Sequence, residues 1–96
     1  MLEKRIEGAL KTTVERYGAK VRKFVSSGWV GVPDRIVLIP GGRVVFVELK
    51  APAKSLKPFK KKRTVQLQAL GFPVYHVDSI AAVKKFAAEV FNGEGG

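Results

Sequence analysis

The stretch Asp34-Arg35-Ile36-Val37-Leu38-Ile39, then Pro40-Gly41-Gly42, then Arg43-Val44-Val45-Phe46-Val47-Glu48-Leu49-Lys50 carries two runs rich in β-branched residues on either side of a turn tripeptide. That pattern predicts a β-hairpin. In a strand, residues two apart project from one face, so Glu48 and Lys50 point the same way while Val47 and Leu49 point into the opposite layer. A three-residue Pro40-Gly41-Gly42 loop pairs Ile39 with Arg43, Leu38 with Val44, Ile36 with Phe46, and Asp34 with Glu48. A two-residue Gly-Gly loop would set Asp34 opposite Leu49, but Pro40 would then close the ladder with no N–H to offer. The three-residue loop is preferred, although a bulge could restore either alignment.

Outward from the hairpin, Leu2, Ile6, Leu10, Val14 and Tyr17 recur at spacings of three and four, which predicts an amphipathic helix ending at Gly18. Alternation over Lys20 to Ser26 predicts a first strand, followed by a Ser26-Ser27-Gly28 loop. Beyond the hairpin, Ala51 to Pro58 is a loop, and Phe59, Val65, Leu67 and Leu70 lie on a helix closed by Gly71. Phe72 to Val77 is a fourth strand, and Asp78 or Ser79 caps a last helix carrying Ile80, Val83, Phe86, Ala87, Val90 and Phe91. Residues 92–96 should fray. The order α-β-β-β-α-β-α predicts an α/β fold with a small mixed sheet flanked by helices.

The 96 residues are expected to form one domain, 1–96, with enough apolar material for one modest core. Cysteine is absent, which excludes a disulfide scaffold, a thiol nucleophile and thiolate metal ligands, and the single histidine, His76, cannot build a zinc site alone. No apolar run reaches a membrane-spanning length, and the first residues are a mixed Glu/Lys/Arg segment, so no membrane partner is expected and an intracellular, cytoplasmic protein is. Eighteen Lys and Arg against eight Asp and Glu give a net charge of +10, which makes nucleic acid the leading partner. Charge alone would equally fit a ribosomal or nucleoid-packing protein.

Asp34 and Glu48 at the end of an apolar hairpin would repel one another unless a cation lay between them, and carboxylate oxygens suit Mg²⁺ or Mn²⁺. On a phosphodiester such an ion activates water and neutralises the leaving oxygen, while Lys50 orients or deprotonates water or stabilises negative charge. An isolated Glu-x-Lys in a strand is usually a solvated pair. Asp34, a glycine turn and Glu48-Leu49-Lys50 in order within one hairpin of a strongly basic chain is a rarer combination.

With Lys23-Phe24-Val25-Ser26, Gly31-Val32-Pro33-Asp34-Arg35, Pro40-Gly41-Gly42-Arg43-Val44, Phe46-Val47-Glu48-Leu49-Lys50-Ala51-Pro52 and Leu70-Gly71-Phe72-Pro73-Val74, the chain resembles the PD-(D/E)xK nuclease superfamily. Within it the resemblance is to the virus-type replication-repair nuclease (VRR-NUC) family in its stand-alone form. The resemblance implies a restriction-endonuclease-like core that hydrolyses DNA with Mg²⁺ or Mn²⁺. It makes Asp34 and Glu48 metal ligands, the backbone carbonyl of Leu49 a third, and Lys50 the catalytic lysine. An acid of the first helix usually joins, here Glu7, with Glu3 one turn earlier as second choice. The family tends to carry glutamine at the start of the helix after the Glu-x-Lys strand; Lys60 stands there instead, with Gln66 and Gln68 two turns further on.

Lys54, Lys57, Lys60, Lys61, Lys62 and Arg63 put six cations into ten residues with no acid among them. With Lys23 and Arg35 they are the candidate DNA-binding residues, with contacts expected to go to phosphates and carry no base information. Stand-alone members resemble Holliday-junction resolvases acting as homodimers, because two opposed cuts in a two-fold junction call for two sites related by a two-fold axis. A nuclease of flaps or branched DNA and a non-catalytic DNA-binding module are the alternatives. Trp29, Val30, Phe86 and Phe91 could supply an apolar dimer interface or belong to the core.

Overall fold

The computed structural model describes residues 2–50 and 55–92. Its elements are α1 (Leu2–Arg16), β1 (Lys20–Lys23), β2 (Arg35–Ile39), β3 (Arg43–Leu49), α2 (Pro58–Ala69), β4 (Val74–Val77) and α3 (Ile80–Phe91), in the expected order. The four strands form one mixed sheet in the order β1-β2-β3-β4, with β1/β2 and β2/β3 antiparallel and β3/β4 parallel. The parallel pair needs a crossover, and α2 supplies it.

The hairpin register is the one that a three-residue loop dictates. Ile39 faces Arg43, Leu38 faces Val44, Ile36 faces Phe46 and Arg35 faces Val47. Gly41 and Gly42 take φ of +92° and +80°, the left-handed region where a side chain would be strained. Continued one residue, this register brings Asp34 beside Glu48.

Because strand side chains alternate, the two faces of β3 have different fates. Val45, Val47 and Leu49 join Val37, Ile39 and Val77 in a core closed by Ile6, Leu10 and Val14 of α1 and Val83, Phe86 and Val90 of α3. The helical spacing of those positions is what aims them at the sheet. On the opposite face Phe46 packs its ring with Phe24 and Phe72 at centroid distances of 5.4 and 5.8 Å, and α2 passes over Glu48.

Several boundaries are shorter than the sequence pattern implies. β1 stops at Lys23; the Phe24 amide still donates to the Asp34 carbonyl, but Val25 is 87% exposed as the chain leaves for the loop. β4 begins at Val74 and not at Phe72. Gly71 (φ +96°) and Phe72 are spent in closing α2, their amides donating to the carbonyls of Gln68 and Leu67, a Schellman arrangement. Pro73 has no N–H, though its carbonyl accepts from Phe46. Of the apolar residues that marked this helix, only Leu67 is buried, along with Thr64, while Phe59, Val65 and the C-cap residue Leu70 remain exposed. Ser79 caps α3, its hydroxyl accepting from the Ala82 amide at 3.0 Å.

α2 starts at Pro58 with Lys57 as an N-cap that offers no side-chain bond. Its position is set by Gly31, where a Cβ would come within 3.0 Å of both the Phe59 ring and the Phe59 carbonyl oxygen. Only glycine lets the loop before β2 pass this close to the first turn of α2.

Candidate active site

The end of the hairpin brings Asp34 and Glu48 together through reciprocal bonds. The Asp34 amide donates to Oε1 of Glu48 at 3.2 Å, and the Leu49 amide donates to Oδ1 of Asp34 at 3.0 Å. Each carboxylate is thereby fixed by one oxygen, and its other oxygen faces a cation. Lys60 Nζ lies 2.9 Å from Oε2 of Glu48, and Arg35 Nη1 lies 3.5 Å from Oδ2 of Asp34. Glu48 is 6% exposed, the one buried charged side chain among the described residues. A carboxylate so placed must be paired to remain ionised at acceptable cost.

Arg35 faces the α1 side, where its guanidinium also pairs with Glu7, so one arginine bridges the helix acid and Asp34. The hydrogen bond from Arg35 holds the Glu7 carboxyl below its ordinary range, helped by the charges of Arg35, Lys23 and Lys4 and opposed by desolvation. Glu3, Lys4, Glu7, Asp34, Arg35 and Leu49 line a cavity of about 180 Å³. The two helix acids singled out from the sequence therefore open on the same space as Asp34 and Leu49.

The donor chemistry of Asp34 and Glu48 fits a hard divalent ion, since both present a carboxylate oxygen at which positive charge is already held. The set is incomplete as it stands. Among the described residues, no three Asp, Glu or His side chains converge as a metal cage, and Glu7 is drawn to Arg35.

Lys50 follows Glu48 by two residues, but among the described residues its ammonium pairs with neither Asp34 nor Glu48 and donates to the Ser55 carbonyl at 2.9 Å. It lines a neighbouring cavity of about 300 Å³ with Ser55, Leu56, Lys61, His76 and Asp78. His76 stands opposite Glu48 in the parallel ladder. Desolvation pushes its imidazole below the ordinary value, with Lys50 adding to the shift and Glu48 opposing it.

The basic segment divides. Lys57, Lys61 and Lys62 are exposed, as is Lys23 on β1. Lys60 is turned onto Glu48, and Arg63 sits 4.7 Å over the Trp29 ring while its Nε donates to the Val30 carbonyl. Lys54 lies outside the described residues, as do Ala51, Pro52 and residues 93–96. Of the apolar interface candidates, Phe86 is 2% exposed and belongs to the core, and Phe91 stacks on Tyr17 at 4.4 Å. Trp29 is half-buried beneath Arg63, and Val30 is exposed.

No protein-family model matches the chain. It is 43% identical over 77 residues to "Putative nuclease p44" of Acyrthosiphon pisum secondary endosymbiont phage 1, a match spanning 80% of this chain and 83% of that one. A solved structure described as a VRR_NUC domain superposes with a TM-score of 0.87 at 28% identity, covering 95% of this chain and 99% of the other. The chain belongs to the VRR-NUC family of nucleases. A second VRR_NUC domain protein shares the fold at a TM-score of 0.72 and 17% identity, covering 96% of this chain and 89% of its own.

Three contacts in this VRR-NUC chain are not evident from its sequence. Lys60 was visible as a departure from the usual glutamine and as one of six clustered cations, and nothing local shows that its ammonium reaches Glu48. Arg35 stood out as a cation but not as a clamp between two acids. His76 comes beside Glu48 through parallel pairing across a crossover, which leaves no spacing signal.

Proposed function

We propose that this VRR-NUC nuclease is a metal-dependent, structure-selective DNA endonuclease, one domain per chain, that acts as a homodimer on four-way junctions. The observation carrying this reading is the paired end of the hairpin, where Asp34 and Glu48 are each fixed by a backbone N–H and each leave one oxygen facing positive charge.

Asp34, Glu48 and the Leu49 carbonyl would hold Mg²⁺ or Mn²⁺, with Glu7 joining once released from Arg35. A divalent ion held there supplies Lewis-acid activation of water and charge neutralisation at the phosphate. The chain's own groups do the rest. Backbone amides at Leu49 and Asp34 keep the carboxylates in place before substrate arrives, which removes a reorganisation cost from the reaction. Lys50, on the same face as Glu48, turns its ammonium from the Ser55 carbonyl towards the phosphate, where it stabilises developing negative charge. Lys57, Lys61, Lys62 and Lys23 are free to take flanking phosphates, and such contacts fix position without reading sequence. A DNA substrate and a phage-borne relative both accord with work inside a cell.

Two-fold symmetry supports the dimer: each chain offers one such site, and symmetric cuts in a junction need two. Exposed Val30, beside Trp29, is the surviving apolar candidate for that interface.

The test uses labelled four-way junction, flap and linear duplex with Mg²⁺, Mn²⁺ or EDTA. Paired, symmetric cuts in the junction are expected with either metal and none with EDTA. Preference for the flap would favour the branched-DNA alternative, and binding without cleavage in both metals would leave a DNA-binding module.

A further inference from the structure

Glu48 is buried, and its Oε2 holds the ammonium of Lys60 at 2.9 Å. Lys60 lies in the first turn of α2, which has no acid and is followed at once by Lys61 and Lys62. Cations at a helix N-terminus oppose the macrodipole, so the ammonium of Lys60 gains from any anion within reach. Without metal, that anion is Glu48. A divalent ion on Asp34 and Glu48 would compete for the same Oε2, and two cations crowded onto one carboxylate oxygen repel each other. Arg35 does not meet this conflict at Glu48, because its contacts are with Asp34 and Glu7.

We infer that Lys60 is the resident counter-ion of Glu48 that metal must displace, and that the released ammonium then binds a DNA phosphate. Metal entry and DNA binding are thereby coupled through one positioning lysine, an idea that rests on the metal-dependent reading above. Such coupling is reciprocal by thermodynamic linkage. A neutral glutamine at the same place could hydrogen-bond Glu48 without competing for its charge.

The experiment titrates Mn²⁺ alone into the full wild-type chain, Lys60→Gln, Lys60→Met and Asp34→Asn by calorimetry. Both Lys60 variants should bind Mn²⁺ about tenfold more tightly than wild type, within the usual range of coupling between sites. Their melting temperatures should also rise more on adding Mn²⁺, since ligand binding to the folded state stabilises it. A second arm measures duplex DNA binding with EDTA and with Ca²⁺, another oxygen-ligated ion. Lys60→Gln should bind several-fold more weakly than wild type in Ca²⁺, with the salt slope smaller by about one, and should show a smaller deficit in EDTA. Mn²⁺ affinity within twofold of wild type in both Lys60 variants, or a DNA deficit equal with and without metal, would overturn the inference. Absence of Mn²⁺ binding in wild type and both Lys60 variants would instead overturn the metal-dependent reading itself.

Discussion

The two faces of the sheet are built to different ends. Against α1 and α3 the sheet presents Val37, Val45 and Val47, all 2% exposed or less, meeting Ile6, Leu10, Val14 and Phe86 in a continuous apolar core. Beneath α2 it presents a buried carboxylate, and that helix buries only Thr64 and Leu67. One face specifies the fold; the other buries a carboxylate and pairs it with the Lys60 ammonium. Stability and chemistry are thus housed on opposite sides of strands only one residue thick.

Truncation should break this contrast or sharpen it. Phe86→Ala removes a large side chain from the closed core and should cost about 3–5 kcal/mol. Leu67 is the buried apolar residue of α2, a helix with few apolar partners where the site can relax, so Leu67→Ala should cost near the lower end for such changes, about 2 kcal/mol. Urea unfolding of both variants checks the ranking. A loss for Leu67→Ala equal to that for Phe86→Ala would show that α2 is packed as tightly as α1 and α3.

A smaller effect is expected at the junction of the two regions, where Arg35 joins Glu7 of α1 to Asp34. The Glu7 carboxyl is held below its ordinary range chiefly by the Arg35 hydrogen bond. A depressed carboxylate contributes stability that is present above its unfolded pKa and is lost as pH falls through the lower folded one. Glu7 is 40% exposed, so solvent screening keeps this contribution below about 1 kcal/mol. Glu7→Gln should therefore be slightly less stable than wild type at neutral pH, and the two should converge in acid below the usual carboxylate range. Thermal melts across that range test it; a gap that widens in acid would contradict the assignment.

What was legible in the sequence is largely what local rules determine. Pro40 cannot close a ladder and two glycines can take positive φ, so the loop length and the Asp34–Glu48 register followed from residue chemistry. The four-residue spacing of Ile6, Leu10 and Val14 and the hydroxyl of Ser79 likewise announced α1 and the start of α3. The ends of β1 and β4 were not legible, because Val25 leaves the sheet with its loop and Phe72 is used to close α2. Phe59, Val65 and Leu70 marked the helix before Gly71, but α2 crosses a half-polar surface and leaves all three exposed. At the site, the acids were visible as a pair, whereas Lys60 on Glu48, Arg35 between two acids and His76 across the ladder arise from contacts between distant segments.

The central claim is that the hairpin end, and not the basic surface alone, makes this chain a nuclease. Single-turnover cleavage of a labelled four-way junction in Mg²⁺ tests it most directly, comparing wild type with Asp34→Asn and Glu48→Gln after circular dichroism has shown all three folded. Loss of even an indirect metal-supporting residue costs up to about 100-fold, so loss of either carboxylate should slow cleavage at least that much without weakening DNA binding in EDTA. Wild-type cleavage rates in both folded variants would contradict the claim.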